Sequence, residues 1–353
     1  MTFRNIATRV ACSDPSRPDA GGLAVGVSSL TSVSCVAART RVYATVLAAA
    51  VLVAGGVVVI TWLQARGEPT SAATVKARKG IPPLLFDFGL RNDREVQDLA
   101  RGAALLKAGR RAQAEALFAR YHDVQAQLGT AFAKWPDLDE VEHIAAAHPD
   151  SAVAQLHLGL ALVYAGRDAD AATTLKRVET QFPDSPSSVD AENLLYSRDF
   201  PGLPYLIVPV TVPAAPTLAQ QVAIAARDAR RDDAQAKLRY GVMLWRLQHR
   251  VSARRWLDAA AKRDPSAETL TAAAVSAFTK RNPVAAFGRL GPLTGRYPNA
   301  PVVRFHLGIL LLWTHQLAKA KTQLQMVLAS HPDSLYGKEA RKLLAALGPN
   351  GTK

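Results

Sequence analysis

A repeated pattern of small, large and proline residues constrains this chain more than any other feature of its sequence. In five places a small residue is followed by Ala twelve positions later and by Phe or Leu four positions beyond that. The last three small residues are 33 and then 34 positions apart, and Pro follows the small residue by 24 positions in four sets. A period of this length indicates an array of repeated structural units. The five sets are Gly102, Ala114 and Phe118; Gly159, Ala171 and Leu175; Gly241, Ala253 and Leu257; Ala274, Ala286 and Leu290; and Gly308, Ala320 and Leu324.

The spacing has a physical meaning if each unit is a pair of antiparallel helices. The small residue on the first helix and Ala on the second let the two backbones approach closely, and the large residue fills the space beside them. Pro then ends the second helix. Each pair leaves an apolar face that only the next pair can cover, so the units stack in series. We therefore predict an all-α fold of stacked helix-turn-helix units.

These residues resemble the tetratricopeptide repeat family. The family's Leu-Gly position corresponds to Leu158-Gly159, Tyr240-Gly241 and Leu307-Gly308, although its usual Trp and Tyr are missing from the first helices. The resemblance implies a right-handed superhelix that binds protein segments. Loops such as FPDSP and YPNAP are also similar to those of bacterial envelope members of the family. In the family's frame the units cover residues 95–128, 152–185, 234–266, 267–300 and 301–334.

An uncharged run of 24 residues from Val42 to Ala65 lies between Arg41 and Arg66. About 20 apolar residues in a helix span a bilayer's hydrocarbon core of roughly 30 Å. We therefore predict one transmembrane helix ahead of the repeats. A cleaved signal peptide and a buried core helix are the alternatives, but 41 residues precede the run and it has no polar stripe.

The charges beside this run give conflicting indications of its orientation. Within about 20 residues, two basic residues lie upstream and four lie downstream, which favours a cytoplasmic C-terminal domain. A first helix after a short tail usually leaves that tail inside, and we give this tendency more weight. We expect a single-pass protein of the cell membrane with its repeats outside the cytoplasm.

The predictions divide the chain into seven segments. The crossing segment reads as extended and partly buried, because its five prolines oppose a central strand. The segments are a disordered tail (1–41), the transmembrane helix (42–65), a linker (66–94), a first block of repeats (95–198), a Pro-rich crossing segment (199–216), a second block (217–334) and a capping helix with a tail (335–353).

Nothing in the sequence supports a catalytic, cofactor or metal site. It contains no Gly-rich phosphate loop and no Gly-x-Ser-x-Gly elbow, and we interpret its eight histidines as surface or cap residues. The net charge of +14 is compatible with anionic partners, but no nucleic-acid-binding module is present, so we expect no nucleic acid. Contact with anionic lipid or wall polymer stays open. The basic cluster at 250–263 is assigned to a solvated helix face.

The family resemblance places one side of each first helix on a concave groove. In the second block these positions form an apolar and aromatic stripe without the Lys and Asn that grip peptide carboxylates. The stripe could hold an amphipathic helix or an apolar peptide. Alternatively, it packs against the chain's own segment at 203–212 or against flanking helices. The predicted groove residues are Leu238, Val242, Trp245, Val275, Phe278, Phe305, Ile309 and Leu312.

We therefore expect a membrane-anchored, non-catalytic scaffold that binds partner protein segments in this groove. The alternative is a structural subunit or assembly factor of a bacterial envelope complex, with the repeats forming a permanent interface. The sequence does not identify the partner.

Overall fold

The structure is a computed structural model that describes residues 75–348. Across these residues the chain forms 15 α-helices and no β-strand, which confirms the all-α class for this part. In chain order the helices are α1 (Arg94–Lys107), α2 (Arg111–Phe118), α3 (Val124–Ala133), α4 (Leu138–Ala147), α5 (Ala152–Tyr164), α6 (Asp168–Gln181), α7 (Pro186–Leu195), α8 (Leu218–Ala229), α9 (Ala234–Arg246), α10 (Arg250–Arg263), α11 (Ala267–Val275), α12 (Val284–Arg296), α13 (Pro301–Trp313), α14 (Leu317–Ser330) and α15 (Leu335–Leu347).

The predicted tail and transmembrane helix, together with residues 66–74 and 349–353, lie outside the described residues. Between residues 75 and 348, no helix has both the length and the apolar character needed to cross a bilayer.

Short polar side chains in the loops begin several of the helices. Ser151, Ser185 and Ser334 each accept a hydrogen bond from the backbone N–H three residues later, at the starts of α5, α7 and α15. Such caps satisfy N–H groups that have no partner inside the helix. The HPDS and FPDS loops thus supply the caps of these three helices.

Close approach of paired helices depends on the small residue of each repeat. A Cβ atom added to Gly102 would lie 2.5 Å from the Phe118 ring, and one added to Gly241 would lie 2.7 Å from the Leu257 side chain. A Cβ atom at these distances cannot be accommodated unless the facing side chain moves. Glycine is therefore required at these two positions for the helices to pack as closely as they do.

Two further glycines face their predicted partners in the same way. A Cβ atom added to Gly159 would lie 2.7 Å from the side chain of Leu175. One added to Gly308 would lie 3.1 Å from the side chain of Leu324 and 3.5 Å from the backbone oxygen of Ala320. The last pair is thus the loosest of the four that contain glycine.

The second helix of each predicted pair supplies the alanine and the large residue, and all ten of these residues have no exposed surface. In the fourth set the small residue is Ala274, which is 1% exposed. The predicted repeat-packing residues therefore lie inside the helix pairs. The alanines are Ala114, Ala171, Ala253, Ala286 and Ala320, and the large residues are Phe118, Leu175, Leu257, Leu290 and Leu324.

Gly241 offers a direct test of this packing. We expect Gly241→Ala to lower the free energy of unfolding by about 1–3 kcal/mol, because the new methyl group overlaps the Leu257 side chain and its backbone N–H. Gly288→Ala is the matched control, since Gly288 is an exposed helical residue with open space around it. That change should be neutral or stabilise by up to about 1 kcal/mol. Urea midpoints of the full chain would measure both, and equal midpoints would contradict the packing argument.

One helix pair departs from the predicted pattern. The pair α3 and α4 forms a hairpin that begins inside the first predicted unit, which runs to residue 128, and ends before the second, which starts at residue 152. This hairpin was not among the predicted repeats. Gly129 takes the small position and packs against Phe118. The position twelve residues after it, which is Ala in the other sets, is Val141, and the position four residues beyond, which is large in the other sets, is Ala145. The expected order of Ala and then a large residue is therefore reversed. A search for the small–Ala–large pattern does not find this helix pair for that reason.

The core of the described region consists of two large clusters and one small one. The first large cluster runs from Leu99 to Tyr196 and the second from Leu206 to Ala340. From here on, the first block denotes helices α1–α7, and the second block denotes helices α8–α15 and so includes the predicted capping helix. The predicted linker is more than a connector, because Ile81, Leu84 and Phe86 pack against the first cluster.

Candidate functional site

The eight predicted groove residues lie together in the second block, on α9, α11, α13 and the turn after α11. All belong to one apolar cluster, and none is more than 3% exposed. A partner therefore cannot reach this stripe in the state that the structure describes. The sequence left two alternatives open, an accessible stripe and one covered by the chain itself, and the geometry is that of a covered stripe.

The cover is the Pro-rich crossing segment, whose residues 200–212 we call the second strap. Leu206, Ile207 and Val208 are buried in the same cluster as the groove residues. The indole N–H of Trp245 donates to the backbone oxygen of Pro204 at 2.9 Å. The indole N–H of Trp313 donates to the backbone oxygen of Gly202 at 3.2 Å. Side chains of the groove thus bind the strap through its backbone as well as through its apolar residues.

A buried histidine completes this contact. The backbone N–H of Ile207 donates to Nε2 of His306 at 3.0 Å. Nδ1 of His306 lies 2.7 Å from the backbone oxygen of Val302, and a carbonyl only accepts, so Nδ1 carries the proton and Nε2 is free to accept. His306 is completely buried, and burial lowers its pKa to about 4. The imidazole is therefore neutral near pH 7.

The first block repeats this arrangement with a different segment, residues 81–88, which we call the first strap. The backbone N–H of Leu85 donates to Nε2 of His157 at 3.1 Å, and Nδ1 of His157 lies 2.7 Å from the backbone oxygen of Val153. Burial lowers the pKa of His157 to about 4 as well. The side-chain amide of Gln125 also pairs with Asp87, accepting from its N–H at 2.9 Å and donating to its C=O at 3.0 Å.

The two histidines correct the prediction that all eight are surface or cap residues. His157 and His306 have no exposed surface, and each stands two residues before the glycine of its repeat, in the shared sequence His-Leu-Gly. The shared tripeptide was the feature of the sequence that could have indicated that these two histidines have a common structural role. It could not show what the rings face, because the straps lie 72 and 99 residues away in sequence.

Polar residues between the blocks form a second buried group, which we call the junction. Nη1 of Arg250 on α10 lies 2.5 Å from a carboxylate oxygen of Glu192 on α7, and its Nη2 donates to Oγ of Ser188 at 3.1 Å. The side chain of Arg250 is 9% exposed, so its assignment to a solvated helix face was wrong. Asp184 accepts from the N–H groups of Val251 and Ser252 and so caps α10 from 67 and 68 residues away.

Lys280 adds a buried ammonium group to the junction. Its Nζ donates to Oδ1 of Asn193, which also accepts the backbone N–H of Gly202. Burial lowers the pKa of Lys280 to about 8, against the opposing effect of nearby carboxylates. Burial raises the pKa values of Asp190 and Asp199. The group ties the start of the second strap to α7.

The remaining features of residues 75–348 add little that is chemically reactive. No cluster of three or more His, Cys, Asp or Glu residues in this range could hold a metal ion. An open cavity of about 630 Å³ lies between the first strap and α1, lined mainly by Ile81, Pro82, Leu85, Ala103 and Tyr164. Its lining is mainly apolar.

Comparison with known families identifies two of the helix pairs. The tetratricopeptide repeat model matches residues 153–185 and 303–334, which contain most of α5 and α6 and of α13 and α14. The chain therefore contains tetratricopeptide-type repeats, and the two matched segments are those that carry His157 and His306. No curated protein matches the chain.

Two solved structures are similar to the chain at low identity. Yeast Tom70 is 17% identical, with 80% of this chain and 54% of that chain covered and a TM-score of 0.31. The APC/C hetero-tetramer Cut9–Hcn1 gives 15% identity, 70% and 55% coverage and a TM-score of 0.29. The chain spans about half the length of either protein.

Proposed function

We propose that this protein is a membrane-anchored, non-catalytic scaffold whose second block binds an extended segment of a partner protein. The observation that carries the proposal is the second strap: the apolar stripe already holds a non-helical segment of the chain, bound by Trp245, Trp313 and His306. The same residues can bind a partner's backbone. Tetratricopeptide repeats at 153–185 and 303–334 support a role in protein binding.

The distribution of charge favours an acidic partner. Residues 217–348 contain 21 Lys and Arg against 8 Asp and Glu, whereas residues 75–216 contain 15 against 18. A strongly basic block attracts anionic surfaces and speeds their association at low salt. Anionic lipid at the membrane surface is a second source of that attraction, and it fits the proposed anchor at 42–65.

The anchor can be tested by fractionation. We expect the full chain to sediment with membranes and to resist alkaline carbonate, because residues 42–65 contain no charge. Ala54→Arg with Val58→Arg should release it, since each central Arg costs about 3 kcal/mol of insertion. Ala20→Arg with Ala24→Arg adds the same two charges to the tail. This control variant should remain in the membrane. Full-length protein in the supernatant would contradict the anchor.

Partner binding can be tested in cells with a photo-crosslinking amino acid. Tyr205 lies on the second strap and is 49% exposed, while Met326 lies on α14 and is 42% exposed. The proposal expects an adduct with another protein when the probe replaces Tyr205, and little when it replaces Met326. Equal adducts at both positions, with all of the chain in one large complex, would support a structural subunit of an envelope complex instead.

A further inference from the structure

We propose that the two straps are internal copies of the partner's binding segment, and that a partner carrying Pro-x-Leu-(Leu/Ile)-apolar displaces the second strap. This inference rests on the proposed function and specifies its ligand. It follows from a comparison of the two straps, which occupy equivalent sites with different sequences.

The shared residues of the straps define the motif. Pro82, Leu84 and Leu85 correspond to Pro204, Leu206 and Ile207, if the amide bound to histidine is taken as the reference position. Pro thus stands three residues before the bound amide and Leu stands one before it. The residue between them is Pro83 in one strap and the exposed Tyr205 in the other, so that position is free to vary.

The groove requires an occupant of this kind. With the second strap removed, Nε2 of His306 and the indole N–H of Trp245 would lose their hydrogen-bond partners in an apolar setting. A buried polar group without a partner is costly. An extended peptide supplies both a donor amide and an acceptor carbonyl, whereas an amphipathic helix keeps these groups in its own hydrogen bonds.

Of the two straps, the second is the one that a partner can displace from its groove. Among residues 75–348, none of the backbone–backbone hydrogen bonds involves residues 200–216, and Tyr205 and Val212 are exposed. Its removal therefore breaks no helix. The first strap does take part in a backbone–backbone hydrogen bond, because the backbone N–H of Arg91 donates to the backbone oxygen of Phe88, and Gln125 pairs with Asp87 beside it. We assign partner exchange to the second block and a permanent role to the first strap.

A peptide-binding experiment tests this proposal. The probe is a fluorescent peptide with the sequence of residues 202–212, titrated with the full chain in detergent and followed by anisotropy. Leu206→Ala with Val208→Ala weakens the chain's own strap and leaves the groove intact. We expect this variant to bind the peptide at least about tenfold more tightly than the unmodified chain. Apparent affinity is the intrinsic affinity multiplied by the fraction of molecules whose strap is open, and weakening the strap raises that fraction.

Two controls isolate the strap and the histidine. Tyr205→Ala with Val212→Ala changes exposed residues of the same strap and should leave peptide affinity within about twofold of the unmodified chain. A peptide N-methylated at the amide equivalent to Ile207 cannot donate to His306 and should bind at least about tenfold more weakly. N-methylation at the position of Val212 should have little effect.

Equal affinity of the strap-weakened and unmodified chains, or of the two methylated peptides, would overturn the proposal. If the strap-weakened variant fails to fold, hydrogen exchange on the unmodified chain decides. Saturating peptide should then accelerate exchange at Ile207 and leave α13 unchanged, and unchanged exchange at Ile207 would overturn the proposal. Failure here combined with a Tyr205 adduct in cells would leave the scaffold function standing with a different ligand.

Discussion

Lowering the pH from about 7 to about 4 should destabilise both blocks through His157 and His306. Burial lowers the pKa of each histidine to about 4 in the folded chain, against roughly 6.5 in an unfolded chain. The unfolded state therefore binds more protons in this interval. The free energy of unfolding that depends on the two neutral histidines is fully present above pH 6.5 and is lost as the pH falls through 4. Each histidine accounts for about 3 kcal/mol of that loss.

Protonation of the two histidines also breaks the hydrogen bonds that hold the straps. A protonated imidazole carries hydrogen on both nitrogens, so Nε2 can no longer accept the strap amide. The donors at Leu85 and Ile207 would then face another donor in a buried site. We expect the straps to loosen before the helices unfold, and tryptophan fluorescence from Trp245 and Trp313 should change before the far-ultraviolet circular dichroism.

The measurement is urea unfolding at a series of pH values. His157→Gln with His306→Gln retains an oxygen acceptor for each amide but removes the titrating rings, so its stability should fall less between pH 7 and pH 4 than that of the unmodified chain. His122→Gln is the control, because His122 is exposed. The same pH dependence in the double variant and the unmodified chain would show that other groups cause the acid loss.

The helical repeats were accessible to sequence reasoning because their cause is local and periodic. A small residue, an Ala and a large residue must recur at fixed spacing wherever two helices pack in this way, and the same sets meet in the structure. The hairpin of α3 and α4 escaped because Val141 and Ala145 exchange the usual sizes while filling the same space. Packing constrains the sum of the side-chain volumes more strongly than their order.

The strap contacts were less accessible because they join residues distant in sequence. A helical stripe such as Leu238, Val242 and Trp245 shows that one face is buried, and it does not show what covers that face. The crossing segment was predicted to be extended and partly buried, but its pairing with His306 depends on a register over 99 residues. Hydrogen bonds from side chains to a distant backbone leave no periodic trace in the sequence.

Replacing Arg250 with Leu should produce the largest loss of stability from a single substitution at the junction, about 3–5 kcal/mol. Glu192 would remain buried without its ionic partner, and Ser188 and the backbone oxygen of Pro183 would lose their donors. Burial already raises the pKa of the Glu192 carboxyl in the presence of Arg250. Without the guanidinium group, the carboxyl can avoid an isolated charge only by taking up a proton.

The double variant Arg250→Leu with Glu192→Leu distinguishes the cost of leaving one buried charge unpaired from the cost of losing the ion pair as a whole. Because the desolvation penalty of both charges disappears, this variant should recover most of the lost stability, to within about 1–2 kcal/mol of the unmodified chain. Arg254→Leu is the surface control, since the Arg254–Asp258 pair is 3.7 Å long and nearly half exposed. That change should cost less than about 1 kcal/mol.

The same substitutions test whether the junction couples the two blocks. Arg250 on α10 connects the second block to α7 and Pro183 of the first, so the intact pair should make both blocks unfold in one transition. Arg250→Leu should separate the blocks into two urea transitions, with the double variant between these extremes. Exchange rates of buried amides in α5 and α13 would report each block independently. A single transition in Arg250→Leu, with the expected loss of stability, would place the coupling elsewhere, in the contacts of Asn193 with Lys280 and with Gly202 at the start of the second strap.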